Sequence, residues 1–95
     1  MREKQVEAKL VQAAKTRGGL CLKFVSPGLD GVPDRMVLLS KGKIGFVEVK
    51  AKSKKPRPLQ RKRLKQLSNL GFHCFVLDNI NDIKQILDTI GGDAL

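Results

Sequence analysis

Two apolar runs four residues apart constrain this chain more than any other feature. Asp34-Arg35-Met36-Val37-Leu38-Leu39 and Ile44-Gly45-Phe46-Val47-Glu48-Val49-Lys50 flank the segment Ser40-Lys41-Gly42-Lys43. Each run has the length of a strand, and a short turn containing glycine joins them, which predicts a β-hairpin. The first run is apolar on both faces, so it is expected to be central in its sheet.

The remaining segments read as three helices and two more strands. Residues from about 3 to 17 form a helix on which Val6, Leu10, Val11, Ala13 and Ala14 share one arc, and Gly18-Gly19 ends it. Leu20 to Val25 is a strand that Ser26-Pro27-Gly28 breaks, and a loop follows through Gly31-Val32-Pro33. After the hairpin, Ala51 to Arg57 is a basic linker. Pro58 opens a helix running to about Leu70, with Leu59, Leu64, Leu67 and Leu70 on one side and Gly71 as terminator. Phe72 to Leu77 is a fourth strand. Asn79 caps a last helix, with Asp82 near its N-terminus. Its stripe of Ile80, Ile83, Ile86, Leu87 and Ile90 stops at Gly91-Gly92. The order α-β-β-β-α-β-α predicts an α/β fold, one mixed sheet flanked by helices, in a single domain over residues 1–95.

Charge narrows the function. Nineteen Lys and Arg stand against nine Asp and Glu, a net charge of +10. So large a surplus on so small a body predicts a polyanionic partner, DNA or RNA first of all. Cys21 and Cys74 lie in apolar runs without a CxxC spacing, and His73 is a lone histidine, so both thiols read as small buried hydrophobes in a reducing compartment. Met1 to Gln5 is charged and lacks an apolar core, which is unlike a signal peptide. No apolar stretch approaches a membrane span. A soluble, intracellular protein with no membrane partner is expected.

Several charged and polar residues fall where a fold would bury them. Residues two apart on a strand share a face, so Glu48 and Lys50 project together at the end of an apolar strand. By themselves they fit a structural ion pair equally well. Asp34 opens the neighbouring strand at the same end of the hairpin. It suits a turn cap as well as a ligand, but two carboxylates side by side repel unless a cation or proton stands between them. An all-oxygen pair suits Mg²⁺ or Mn²⁺ better than zinc. Glu7 falls inside the apolar arc of the first helix, and Gln60 inside that of the second. Gln60 fits a core-edge amide bonded to backbone as well as a place beside the site.

Gly31-Val32-Pro33-Asp34-Arg35, Phe46-Val47-Glu48-Val49-Lys50 and then Gln60, in this order on these elements, resemble the VRR-NUC family of the PD-(D/E)XK nuclease superfamily. The resemblance covers nearly the whole chain. It implies a restriction-endonuclease-like core and a metal-dependent endonuclease acting on branched DNA, four-way junctions or flaps, in a role such as DNA repair. It also implies that Asp34, Glu48 and the Val49 carbonyl hold Mg²⁺ or Mn²⁺, with Glu7 completing the shell directly or through water. Lys50 would orient or help deprotonate the attacking water, and Gln60 would position Lys50 or that water. Members this short are often phage-encoded, which implies action in the cytoplasm of a bacterial host.

Lys52, Lys54, Lys55, Arg57, Arg61, Lys62 and Lys65 follow the catalytic strand and are expected to contact DNA phosphates. Symmetric resolution of a junction needs two nicks, so a two-fold homodimer is expected, with the Ile80–Ile90 stripe as its candidate surface. That stripe serves equally to pack on the sheet. The rival reading is a non-catalytic basic nucleic-acid-binding protein. The clustered carboxylates separate the two, because a pure polyanion binder gains nothing from them.

Overall fold

The fold was obtained as a computed structural model, and residues 1–92 are described. The chain runs α1 (Glu3–Thr16), β1 (Leu20–Lys23), β2 (Arg35–Leu39), β3 (Lys43–Val49), α2 (Pro58–Asn69), β4 (His73–Leu77) and α3 (Ile83–Gly91). This is the expected order of elements. The four strands form one sheet in the order β1-β2-β3-β4. The hairpin of β2 and β3 pairs Arg35 with Val47, Val37 with Gly45 and Leu39 with Lys43. Its turn is a tight 3-10 turn, Ser40–Gly42, in which Lys41 (φ 67°) and Gly42 (φ 72°) both take the left-handed conformation. β1 runs antiparallel to β2, and β4 runs parallel to β3. A parallel partner requires a crossover, and the segment carrying α2 supplies it.

Strand alternation divides the sheet into two unlike faces. On one face Val37, Val47 and Val49, with Leu77, form the main core with Val6, Leu10 and Ala14 of α1 and Ile83, Ile86, Leu87 and Ile90 of α3. The approach of α3 is close. A Cβ on Gly45 would lie 2.4 Å from Ile90 Cδ1, so only glycine fits there. The apolar stripe of α3 is therefore spent inside the chain and offers no dimer surface. A 3-10 turn, Ile80–Asp82, leads into α3, and Asn79 Oδ1 caps it by accepting the Asn81 N–H at 2.9 Å.

The other face is thinly covered. Phe46 meets Phe24 at 5.3 Å between ring centroids and Phe72 edge-on at 5.5 Å. The leucines of α2 do not form the inward stripe that their spacing predicts. Leu59 and Leu70 are exposed, Leu64 and Leu67 are half-buried, and Gln60 is the buried residue of the helix. The helix lies over a polar site rather than an apolar core.

The boundaries of two strands also shift. β1 stops at Lys23, two residues before the expected end at Val25, although the Phe24 N–H still donates to the Asp34 carbonyl at 2.8 Å. β2 begins at Arg35 and leaves Asp34 just outside the strand. Cys21 and Cys74 are free and only half-buried. Burial pushes the Cys21 thiol up to about 11. No helix among the described residues is long and apolar enough to cross a membrane.

Candidate active site

The unusual chemistry lies where β3 ends and β2 begins. One step beyond the Arg35–Val47 pair, the register sets Asp34 opposite Glu48, and a second step sets Pro33 opposite Val49. In an antiparallel ladder such a pair would exchange two backbone bonds. Pro33 has no N–H to contribute, so the ladder offers the Val49 carbonyl no donor at this position. The Val49 N–H is taken by a side chain instead, donating to Asp34 Oδ2 at 3.0 Å. The next residue turns to the other edge, where the Lys50 N–H donates to the Leu77 carbonyl at 2.9 Å. A buried proline before a carboxylate thus ends the ladder and ties Asp34 to β3.

Glu48 is 1% exposed. Its Oε2 accepts from Gln60 Nε2 at 2.9 Å and faces Lys50 Nζ at 3.2 Å. Among the described residues, its Oε1 is the buried side-chain polar atom left without a partner. Burial raises the Glu48 carboxyl above its usual range and the Asp34 charge pushes the same way, while Lys50 and the Asp34 backbone N–H oppose both. A buried polar atom is normally satisfied, and neighbouring carboxylates are normally neutralised. Here Lys50 faces one oxygen of Glu48, and the other oxygen is left over. Asp34, Glu48 and the undonated Val49 carbonyl make an all-oxygen set that fits a hard divalent cation.

Gln60 reaches Glu48 because of how α2 starts. Its Oε1 accepts the Arg57 N–H at 2.8 Å, the bond that runs from N3 back to the N-cap in a capping box. A backbone N–H can only donate, so the amide orientation is set and Nε2 must point at Glu48.

Glu7 is not brought to this cluster. Its Oε2 accepts from Arg35 Nε at 2.7 Å, while Arg35 Nη1 donates to the Cys21 carbonyl at 3.3 Å. Arg35 follows Asp34 by one residue, so its side chain leaves the sheet on the α1 side, opposite Asp34. Among the described residues no three His, Cys, Asp or Glu side chains come together as a metal cage. The position of Glu7 on the apolar arc is explained by this arginine, which the GVPDR motif contains but which periodicity on α1 does not reveal.

Lys52, Lys54, Lys55 and Arg57 are exposed on the linker directly after Lys50, and Arg61, Lys62 and Lys65 are exposed on α2. Arg63 differs from them. It is half-buried, with Nε donating to the Asp30 carbonyl at 2.7 Å and Nη1 to Gln66 Oε1 at 2.9 Å. It ties the β1–β2 loop to α2, and its place within a basic run hides it from sequence reasoning.

No family model matches the chain. A phage protein does, "Putative nuclease p44" of Acyrthosiphon pisum secondary endosymbiont phage 1, at 46% identity over 90 residues, covering 95% of this chain and 96% of that protein. A solved structure described as a VRR_NUC domain superposes with a TM-score of 0.84 at 27% identity, over 93% of this chain and 97% of its own. The sheet order, the paired carboxylates and these two likenesses agree: the chain belongs to the VRR-NUC nucleases, hydrolases that act on nucleic acid.

Proposed function

We propose that this nuclease is a metal-dependent deoxyribonuclease, an endonuclease selective for branched DNA such as four-way junctions or flaps. The observation that carries the metal dependence is the buried, unpartnered Glu48 Oε1, on a residue whose register neighbour is the second carboxylate, Asp34. Asp34, Glu48 and the Val49 carbonyl would hold Mg²⁺ or Mn²⁺. When bound, such an ion supplies a nucleophile near neutral pH and a counter-charge for the phosphate.

The chain's own residues do the rest. Lys50 Nζ, on the same strand face as Glu48, orients the attacking water and offers positive charge to the phosphate as its negative charge grows. Gln60 holds Glu48 Oε2, which would leave the second oxygen free to serve as a ligand. The exposed Lys and Arg of the linker and α2 grip phosphates without reading sequence. Branch selectivity rests on the family likeness. One site makes one nick, so symmetric junction resolution requires two copies, and a two-fold homodimer is the simplest arrangement. Its interface must lie elsewhere than on α3. Likeness to a phage protein supports action within the bacterial cytoplasm.

The test is a cleavage assay on duplex, flap and four-way junction DNA, with Mg²⁺, Mn²⁺ or EDTA. Cutting only with metal, and faster on a branched substrate, is expected. Equal cutting in EDTA would overturn the metal reading, and equal cutting of plain duplex would overturn the branch reading.

A further inference from the structure

The seam between the β1–β2 loop and α2 holds a cavity that catalysis leaves unused. Its volume is about 280 Å³; Phe24, Leu29, Leu67 and Leu70 wall it, with Arg63 and Gln66 at its polar side. Leu70 is 73% exposed and Leu29 44%. Apolar side chains left open in a concavity mark a binding site more often than a defect of packing. A second, separate cavity between the same loop and α2 is lined by Asp30, Gly31 and Gln60, the residue that holds Glu48.

The geometry points to an unpaired nucleobase of the substrate as the occupant. A base is a flat apolar ring with polar edges, and it stacks on aromatic rings and guanidinium planes. Phe24 supplies a ring, and Arg63 a guanidinium pinned at both Nε and Nη1. Pinning by two hydrogen bonds removes the ordering cost that a free arginine would carry. A phosphate fits poorly, because most of the wall is apolar and Asp30 stands on the same seam. The surrounding charge is still favourable for nucleic acid, since Arg61, Lys62 and Lys65 lie exposed on the same helix.

Gln60 and Leu67 are seven residues apart on α2, about 10 Å along its axis, so one helix carries both the wall of the cavity and the residue that holds Glu48. A paired base would have to leave its stack to enter, whereas a base already unpaired at a branch or flap enters without that cost. The cavity thereby supplies a physical basis for branch selectivity, and in this it rests on the branched-DNA reading above.

The experiment measures binding in EDTA by fluorescence anisotropy. One flap DNA carries bases at its first unpaired positions, and a second is abasic there. The base-bearing flap should bind roughly tenfold more tightly. Leu70→Asp and Leu29→Ser, both at exposed positions and checked by thermal melting, should bring that ratio toward one. A ratio of one for the unmodified protein would overturn the assignment, as would a ratio retained in both variants. So would light scattering that shows a dimer which Leu70→Asp dissociates, because a second copy would then cover the cavity. Failure to bind any of the DNAs would sink the branched-DNA reading as well, whereas equal, tight binding of both flaps would sink the cavity assignment alone.

Discussion

Gln60 Nε2 donates to Glu48 Oε2 at 2.9 Å while its Oε1 accepts the Arg57 N–H at 2.8 Å. One amide therefore caps a helix and aims a carboxylate. The start of α2, the basic linker before it and the end of β3 become one mechanical unit.

Gln60→Glu tests that link. Glutamate accepts the N-cap N–H as well as glutamine does, so α2 should stay folded. Protonated, the introduced carboxyl can still donate to Glu48. Ionised, it places a second charge against a buried carboxylate. Cleavage by the variant, relative to the unmodified enzyme, should fall as pH rises. A loss of equal size at every pH would mean that Gln60 acts only on helix stability.

Glu48→Gln should abolish cleavage, retain most DNA binding and raise the melting temperature of the metal-free protein. Because burial and Asp34 raise the folded-state pKa of Glu48, the folded chain holds a proton there more tightly than the unfolded chain. The carboxyl's favourable contribution is thus complete below its unfolded pKa and is lost as pH rises through the folded pKa. The gain from the substitution should be larger at pH 8 than at pH 4. It should reach a few degrees, the scale of about 1 kcal/mol in a domain of this size. Mg²⁺ or Mn²⁺ should raise the melting temperature of the unmodified protein and not that of the variant. Identical melting with metal and with EDTA for the unmodified protein would count against the proposed ligand set.

Lys50→Met should reduce turnover by about a hundredfold or more, the cost of removing one donor that stabilises transition-state charge. Metal affinity should change little, since an ammonium cannot ligate a cation. Calorimetric titration against Mn²⁺ reads the second quantity, and complete loss of binding there would contradict this role.

Glu7→Gln separates a ligand from a structural partner. Glu7 is bound to Arg35 at 2.7 Å, and both side chains are mostly shielded from solvent. Stability should fall by roughly 1 kcal/mol, with Mn²⁺ affinity close to that of the unmodified protein. A tenfold loss of affinity without loss of stability would return Glu7 to the metal shell.

What the sequence by itself determined is what depends on neighbours along the chain. Period-two alternation put Glu48 and Lys50 on one strand face, the hairpin brought Asp34 to the same end, and helical spacing marked the faces of α1 and α3 that the fold buries. Only the tertiary structure decided which surfaces those faces meet. Gly45 admits Ile90, so α3 packs on β3 and its stripe is unavailable to a partner. Arg35 emerges on the α1 side and takes Glu7, while α2 crosses the opposite face and buries Gln60 instead of its leucines. Alternation says that two residues lie on opposite faces of a strand, but not which helix covers each face. That choice is made by crossover connections and by close approach between segments far apart in the chain, and no local period encodes either.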